Sequence, residues 1–540
     1  MSIENITLPH LTNKIVTHAK KTRLCSMAVA LEGWRRGLTL TWYTADSEHF
    51  ENMVIFGVNP PGRLFSLSSE ERTHYFFRTR GDKVSNEAVE IGSEKDLTKK
   101  YLAKEGVPVP EGLGFYEEDT DETILQKAEE IGYPLVLKPT DGSLGNGVVT
   151  NITSKEKMEK AIQYVRHKLE YNDLVLERYM RGKEYRFYVV EDQVVAVYNR
   201  IPANITGDGE HTVEELIELK NIERKKNARL HSCLIEVDDE IMDFLADAEY
   251  GFQDVPPKGE KIYLREKTNV SSGGDPIDVT DDMDSYYKDI AIRALKAVSG
   301  LPHGGVDMII DDSLPKEKSA AIIELNPTAQ IGGPLFPLKG MSRDIPKAII
   351  DYYFPETVNR RTENEMMYFD LPTIFEPLEN RSALEVEVAS VPMKKLRVKK
   401  LTITGKVARR GFMNDISRYA IKHGLHGELN QNYNDELEII VGAPGKDEME
   451  AFKEYIRSSS RAKVKKVKED SWKEPITVGF ELVETFNVKR RGSVNQMLKK
   501  IRRDHSKLKK DTYKLEKDNL RIETSTSMNI TSKVMRKKRG

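Results

Sequence analysis

The sequence predicts an α/β multidomain protein, and three observations carry that prediction. The chain has 540 residues, enough for several separate cores, with 39% hydrophobic and 31% charged residues. From Glu94 to Pro355, apolar runs of strand length alternate with helix-length stretches of mixed charge. Residues 391–484 then form a compact βαββαβ pattern of their own. No apolar run approaches the ~20 residues that cross a bilayer. The opening MSIENITLPHLTNK lacks the basic-then-apolar pattern of a secretory signal. Cys25 and Cys233 lie far apart, without CxxC or His-rich company, and read as reduced thiols in a cytoplasmic protein.

Residues 1–94 read as a small N-terminal α/β lobe, with strand-like LTLTWY and MVIFGV around a helical LCSMAVALEGWRRG. The second domain, 95–355, opens with the charged helix of EKDLTKKYLAKEGVPVP, which Gly106 and the following prolines end. Next come a strand YPLVLKP, a helix near KEKMEKAIQYV, and strands LVLERYM, EYRFYVV and QVVAVYNRIP. A polar stretch rich in Gly and Glu leads to a helix at DSYYKDIAIRALKAVS and two last strands, HGGVDMII and AAIIELN. Residues 356–390 are a mixed connector, and 485–540 form a basic tail. From Asn487 to Gly540 there are 18 Lys and Arg against 5 Asp and Glu, a net of +13. Since the whole chain is -2, the rest carries -15, so the tail suits an acidic partner, an anionic polymer or its own body.

Three places carry chemistry. Glu324 and Asn326 stand two apart at the end of an apolar strand and so share a face, while Asp307 closes the run before it. Three hard oxygen donors at one point suit Mg²⁺; a solvated acidic strand end is the plainer reading. In PLVLKPTDGSLGNGVV a strand ending in Lys138 meets a turn containing Ser143, Gly145 and Gly147. Its backbone can approach a polyphosphate, or it is simply a Gly-rich hairpin. Glu177 and Glu184 flank a short break where an adenine and a ribose can pair. Arg265 stands beside the turn Ser271-Ser272-Gly273-Gly274, suited to a transferring phosphoryl group or to a plain surface turn.

In this order, Lys95, Lys138 with its Gly loop, Glu177, Glu184, Arg265, Asp307 and Glu324-x-Asn326 resemble the ATP-grasp enzymes. More narrowly, EYRFYVVEDQVVAVYNRIPANITGDGEHTVEELIELKN, LREKTNVSSGGDPIDVTDDM and SRDIPKAIIDYYFP resemble the ATP-grasp module of bifunctional glutathione synthetases and cyanophycin synthetases. The resemblance covers about residues 95–355 and implies two α+β lobes gripping ATP. It also implies that Lys95 and Lys138 hold phosphates and that Glu177 and Met180 sit on the adenine side. Glu184 would meet the ribose, and Asp307, Glu324 and Asn326 would ligate Mg²⁺. Arg265, Ser271, Ser272 and Gly273 would face the γ-phosphate and the reacting carboxylate. The implied reaction is ATP-dependent joining of a small-molecule or peptide carboxylate to an amine through an acyl phosphate. After Asn326 this chain runs PTAQIGGPLFP, where the glutathione-type module carries histidines, so its product is left open.

GKVARRGF and HGLHGELN within 391–484 resemble acylphosphatase, a ferredoxin-like βαββαβ fold whose loop binds phosphate. That family places an Arg after the GF pair and an Asn further on; here these positions are Met413 and Gln431. Met cannot offset a phosphate's charge, which favours a domain without hydrolase activity. Arg409 and Arg410 inside the loop offer another approach to the same anion. In the tail, Ser493 and Gln496 form a capping box, and Val494, Ile501, Leu508, Leu515 and Ile522 recur every seven residues. The intervening Leu498, His505, Thr512 and Asn519 are mostly polar, so a weak coiled coil and a basic helix on an acidic partner both stand. Against the ligase stand two rivals: an acylphosphatase with a regulatory ATP-grasp part, and a nucleotide-binding adaptor tethered by its tail.

Overall fold

The computed structural model describes residues 7–140, 147–358, 360, 363–432 and 436–483. Ser143, Gly145 and the whole tail, with its capping box and heptads, lie outside the described residues. The chain divides into two compact units, Met1–Arg397 with Lys473–Gly479, and Val398–Trp472 with the remainder. The α/β multidomain expectation is met in both.

The first unit contains three principal sheets. At its N-terminal end a five-stranded sheet is ordered Glu385–Glu387, Thr39–Tyr43, Leu64–Ser68, Thr73–Phe77, Arg80–Gly81. Helix Thr22–Arg35 packs against it, and every residue from Leu24 to Arg35 is buried. A helix apolar nearly all round is stable only when covered on all sides. MVIFGV, expected as a strand, is irregular. Met53, Ile55 and Val58 still pack against Tyr43, Phe50 and Leu64. The segment runs into Pro60-Pro61, which have no N–H to give a ladder, and Gly57 sits at φ 55°. The sheet's inner strands come instead from RLFSLS and THYFF.

A four-stranded antiparallel sheet follows, ordered Gly112–Phe115, Leu174–Arg178, Leu135–Pro139, Val149–Ile152. Helices Asp121–Ile131 and Lys155–Ile162 bury one stripe each against it, through Ile124, Ala128, Met158, Ala161 and Ile162. The third sheet has the order Asp275–Asp278, Gln193–Ile201, Lys183–Val190, His303–Ile310, Ala320–Asn326. Helices Asn86–Ser93, Lys95–Lys104 and Ser285–Lys296 share its core, around Phe187, Val306, Met308 and Ile322. The polar stretch between holds two helices, Val213–Lys225 and Asp239–Asp247, packed on a two-stranded ribbon. Thr212 and Glu215 make a complete capping box at the start of the first.

Residues 356–390 do more than connect. They supply helix Leu371–Glu379 and the edge strand Glu385–Glu387, which pairs with Thr39–Tyr43. The second unit has the expected βαββαβ order, in a sheet Lys463–Ser471, Arg397–Lys406, Leu437–Ala443, His426–Gln431, with Phe480–Val483 added in parallel. Helices Arg410–Lys422 and Lys446–Arg457 close its core over Phe412, Ile416, Phe452 and Ile456. The span 391–484 is interrupted: Ile476–Thr477 pairs with Met367–Tyr368 and so belongs to the first unit. Met367 and Ile476 are both buried, which gives that short strand its reason to leave.

Candidate active site

The second and third sheets of the first unit face a cavity of about 470 Å³, within the size range of small-molecule sites. Its apolar wall is Val136, Val148, Val149, Met180, Ile309 and Ile323, and its polar groups come from both sheets. At one side, Glu177 on Leu174–Arg178 is buried between Lys138 at 2.6 Å and Lys99. Burial raises the Glu177 carboxyl pKa, but the two ammonium groups more than offset this and hold it below its ordinary value. Burial lowers the Lys99 pKa against the opposing pull of Glu177. Lys95, four residues before Lys99 and on the same helix face, donates Nζ to the Thr140 carbonyl at 3.4 Å.

At the other side, one row crosses four strands. Tyr198 pairs with Arg186, Arg186 with Asp307, and Asp307 with Glu324. Arg186 donates Nε and Nη2 to the two Asp307 oxygens at 2.5 Å each. Arg200 adds Nη1 at 2.8 Å, and the same guanidinium meets Glu184 at 2.8 Å and Asn269 Oδ1 at 2.7 Å. Burial alone would raise the Asp307 pKa; Arg186 and Arg200 bring it below the usual carboxylate value. Glu324 goes the other way, raised by burial and by the neighbouring Asp307 charge. Asn326 stands beside them, opposite Gly305. With its amide turned to donate to Glu324 Oε1 at 3.2 Å, its oxygen accepts from Arg186 Nη2 at 3.3 Å.

A β-bulge puts Glu324 where it is. The ladder runs Asp307 to Glu324 but then Met308 to Ile322, so Ile323 is the extra residue. Ile323 and Glu324 consequently both line the cavity while Ile322 stays in the core. Strict alternation would have sent Ile323 into the core.

The structure thus gathers Lys95, Lys138, Glu177, Met180, Glu184, Asp307 and Glu324 around one cavity. Gly147, at φ 71°, is next to its wall residue Val148. Arg265, Ser271, Ser272 and Gly273 are not among the lining residues. Arg265 is bound by Asp238 at 2.7 Å and Glu240 at 2.5 Å. Ser272 turns its hydroxyl back to the Asn269 carbonyl at 3.1 Å, and Gly273 closes the turn at φ 102°. From that stretch Glu266, Lys267, Thr268, which is hydrogen-bonded to Glu184, and Asn269 line the cavity. Sequence reading passed over Lys99, Arg186 and Arg200. Two of these carried a signal: Lys99 is four residues from Lys95 on a helix, and Arg186 two from Glu184 on a strand.

Asp307, Glu324 and Asn326 offer hard oxygen donors of the kind Mg²⁺ takes, and the cavity leaves room for water and phosphate oxygens as further ligands. The donor set suits the ion on one condition: the oxygens of both Asp307 and Asn326 are engaged by guanidinium groups that a metal would displace.

In the second unit, Arg410 opens helix Arg410–Lys422, and Arg409 precedes it and donates Nη1 to the Arg461 carbonyl at 3.4 Å. Met413 points into the apolar core, and Gln431 ends strand His426–Gln431.

The RimK-like ATP-grasp domain model matches residues 92–217, and the acylphosphatase model matches residues 399–482. The glutathione biosynthesis bifunctional protein of Clostridium perfringens (strain 13 / Type A) is 37% identical over 300 residues, covering 54% of this chain and 38% of that protein. Cyanophycin synthetase of Nostoc sp. (strain PCC 7120 / SAG 25.82 / UTEX 2576) is 35% identical over 288 residues, covering 52% and 31%. A solved bifunctional glutathione synthetase from Pasteurella multocida is 28% identical at a TM-score of 0.43, covering 54% of this chain and 41% of that one. The chain spans about a third of the length of the curated relatives it matches. It joins a RimK-like ATP-grasp domain, similar to those of glutathione and cyanophycin synthetases, to a domain of the acylphosphatase family.

Proposed function

We propose that this chain is an ATP- and Mg²⁺-dependent carboxylate–amine ligase working through an acyl phosphate. The observation that carries the reading is the cavity with lysines on one side and the Arg186–Asp307–Glu324 row on the other, between two sheets. Val136, Val149, Met180 and Ile309 suit an adenine ring, and Glu184 a ribose. Lys138 and Lys95 lie toward the phosphates, with Glu177 holding Lys138 in place. Asp307, Glu324 and Asn326 would hold Mg²⁺, which offsets charge on phosphoryl oxygens when bound.

The residues have separate tasks. A substrate carboxylate is a poor electrophile; taking the γ-phosphoryl group makes it an acyl phosphate, and ADP leaves. An amine then attacks that carbonyl and expels phosphate, leaving an amide. Arg200, which lines the cavity, would stabilise charge on the transferring group with Arg186 behind it, a reading favoured by the absence of Arg265 from the cavity lining. The cavity's apolar wall would limit the water that reaches the intermediate. The relatives named glutathione and cyanophycin synthetases support the reaction class.

Hydrolysis by the acylphosphatase-family domain has less support, because Met413 lies in the core where the family resemblance puts a phosphate-binding Arg. The test is a phosphate-release screen over carboxylate and amine pairs, with mass detection of product. Turnover should need both partners. If Asp307→Asn and Glu324→Gln leave it intact, the ligase reading fails.

A further inference from the structure

Glu177 carries more positive charge than it needs. Its Oε1 pairs with Lys138 Nζ at 2.6 Å and also with Lys99 Nζ, so one buried carboxylate holds two cations. One ammonium neutralises a carboxylate, and a second buried charge is costly unless something pairs with it. Lys99 registers that cost. Its side chain is 10% exposed, and burial lowers its pKa against the pull of Glu177, with the Lys138 charge lowering it further. Asp96, the other acid acting on Lys99, is paired with Lys100 at 2.6 Å.

The two lysines differ in what else they can reach. Lys138 and Glu177 line the cavity; Lys99, on helix Lys95–Lys104, does not. The same helix presents Lys95 to the cavity one turn earlier. Glu177 has little room to move: it is 3% exposed and pairs with Gly112, where a Cβ would come within 3.0 Å of Glu177 Cα and Cγ. The flexible stem of Lys138 lets its ammonium turn to an anion in the cavity, and Glu177 cannot follow it.

We infer that Lys99 is the permanent counter-ion of Glu177, a positioning residue that releases Lys138 to a phosphate of the nucleotide. This rests on the ligase reading above, which puts ATP in this cavity. With Lys99 in place, Lys138 turns to a phosphate while Glu177 stays paired. Without Lys99, a nucleotide would have to draw Lys138 from a buried carboxylate and leave that carboxylate alone, which is strongly unfavourable. Lys99 contacts no phosphate; it acts through Glu177.

The test is calorimetric titration of the full chain with ADP and, separately, adenosine, in a double-mutant cycle over Lys99 and Glu177. Lys99→Met should weaken ADP at least tenfold and adenosine much less, because adenosine has no phosphate to draw Lys138. Lys99→Arg, which keeps the charge, should restore ADP affinity to near that of the parent chain. In a Glu177→Gln background no buried carboxylate needs a cation, so there Lys99→Met should leave ADP affinity unchanged. Should Lys99→Met not fold, Lys99→Gln replaces it, since an amide still donates to Glu177 without a charge. ADP affinity equal to the parent's in the uncharged variant overturns the inference. Equal losses of ADP and adenosine overturn it too, by making Lys99 merely structural. So does a tenfold loss of ADP in the Glu177→Gln background, which would put Lys99 on the phosphate itself. A parent chain that binds no ADP would instead count against the ligase reading, and the inference would fall with it.

Discussion

Asp307 shows how much of a site one residue can disclose and how much it withholds. Its place in an apolar run next to one ending in an E-x-N pair was readable in the sequence; its position in the middle of strand His303–Ile310 and its two guanidinium partners were not. Arg186 lies 121 residues away in the chain and meets Asp307 only because strands Lys183–Val190 and His303–Ile310 pair in that register. A buried carboxylate left without its cations is costly, roughly 3–5 kcal/mol when one partner is removed. Arg186→Gln should therefore lower the melting temperature in metal-free buffer. Because it also removes a competitor for Asp307, Mn²⁺ should bind the variant more tightly and recover more of its melting temperature than in the parent chain. Calorimetry and thermal melts with and without Mn²⁺ check both; equal Mn²⁺ affinity would mean the arginines do not compete with metal.

At the scale of elements, four strands of the third sheet were legible as apolar runs, but the edge strand Asp275–Asp278 and the bulge at Ile323 were not. Two consecutive residues on one face contradict the period of two, and only the pairing of both strands reveals it. The same sheet holds a second long-range device. His303, fully buried, lies between the hydroxyls of Tyr188 and Tyr353, each 3.2 Å away, and so ties helix Ile345–Tyr353 to the sheet. Burial pushes its pKa from 6.5 down to about 3, so the folded state keeps it neutral. The unfolded chain binds a proton first as pH falls, so the stability held above about pH 6.5 is lost progressively toward pH 3. His303→Gln should flatten that part of the stability–pH curve. Urea unfolding at a series of pH values tests it, and an unchanged slope would refute it.

At the scale of the molecule, the sequence shows two folds on one chain, and the acylphosphatase-family domain presents its loop without the Arg expected after GF. Met413 fills core space between helix Arg410–Lys422 and the sheet. The full chain should hydrolyse benzoyl phosphate no faster than buffer. Met413→Arg should destabilise the second unit by roughly 2–4 kcal/mol through a buried unpaired charge, without conferring hydrolysis. A calorimetric melt and an absorbance assay decide these together. The sequence by itself determined that two folds share the chain, along with the Lys138 strand and the acidic pair beyond it, because these rest on local pattern and residue type. Only the tertiary structure decided which strands lie side by side. That decision brought Arg186 and Arg200 onto Asp307, drew Arg265 away to Asp238 and Glu240, and added strands Glu385–Glu387 and Ile476–Thr477 to the first unit. Pairing between distant strands depends on how whole faces bury against each other, and no window of sequence contains that information.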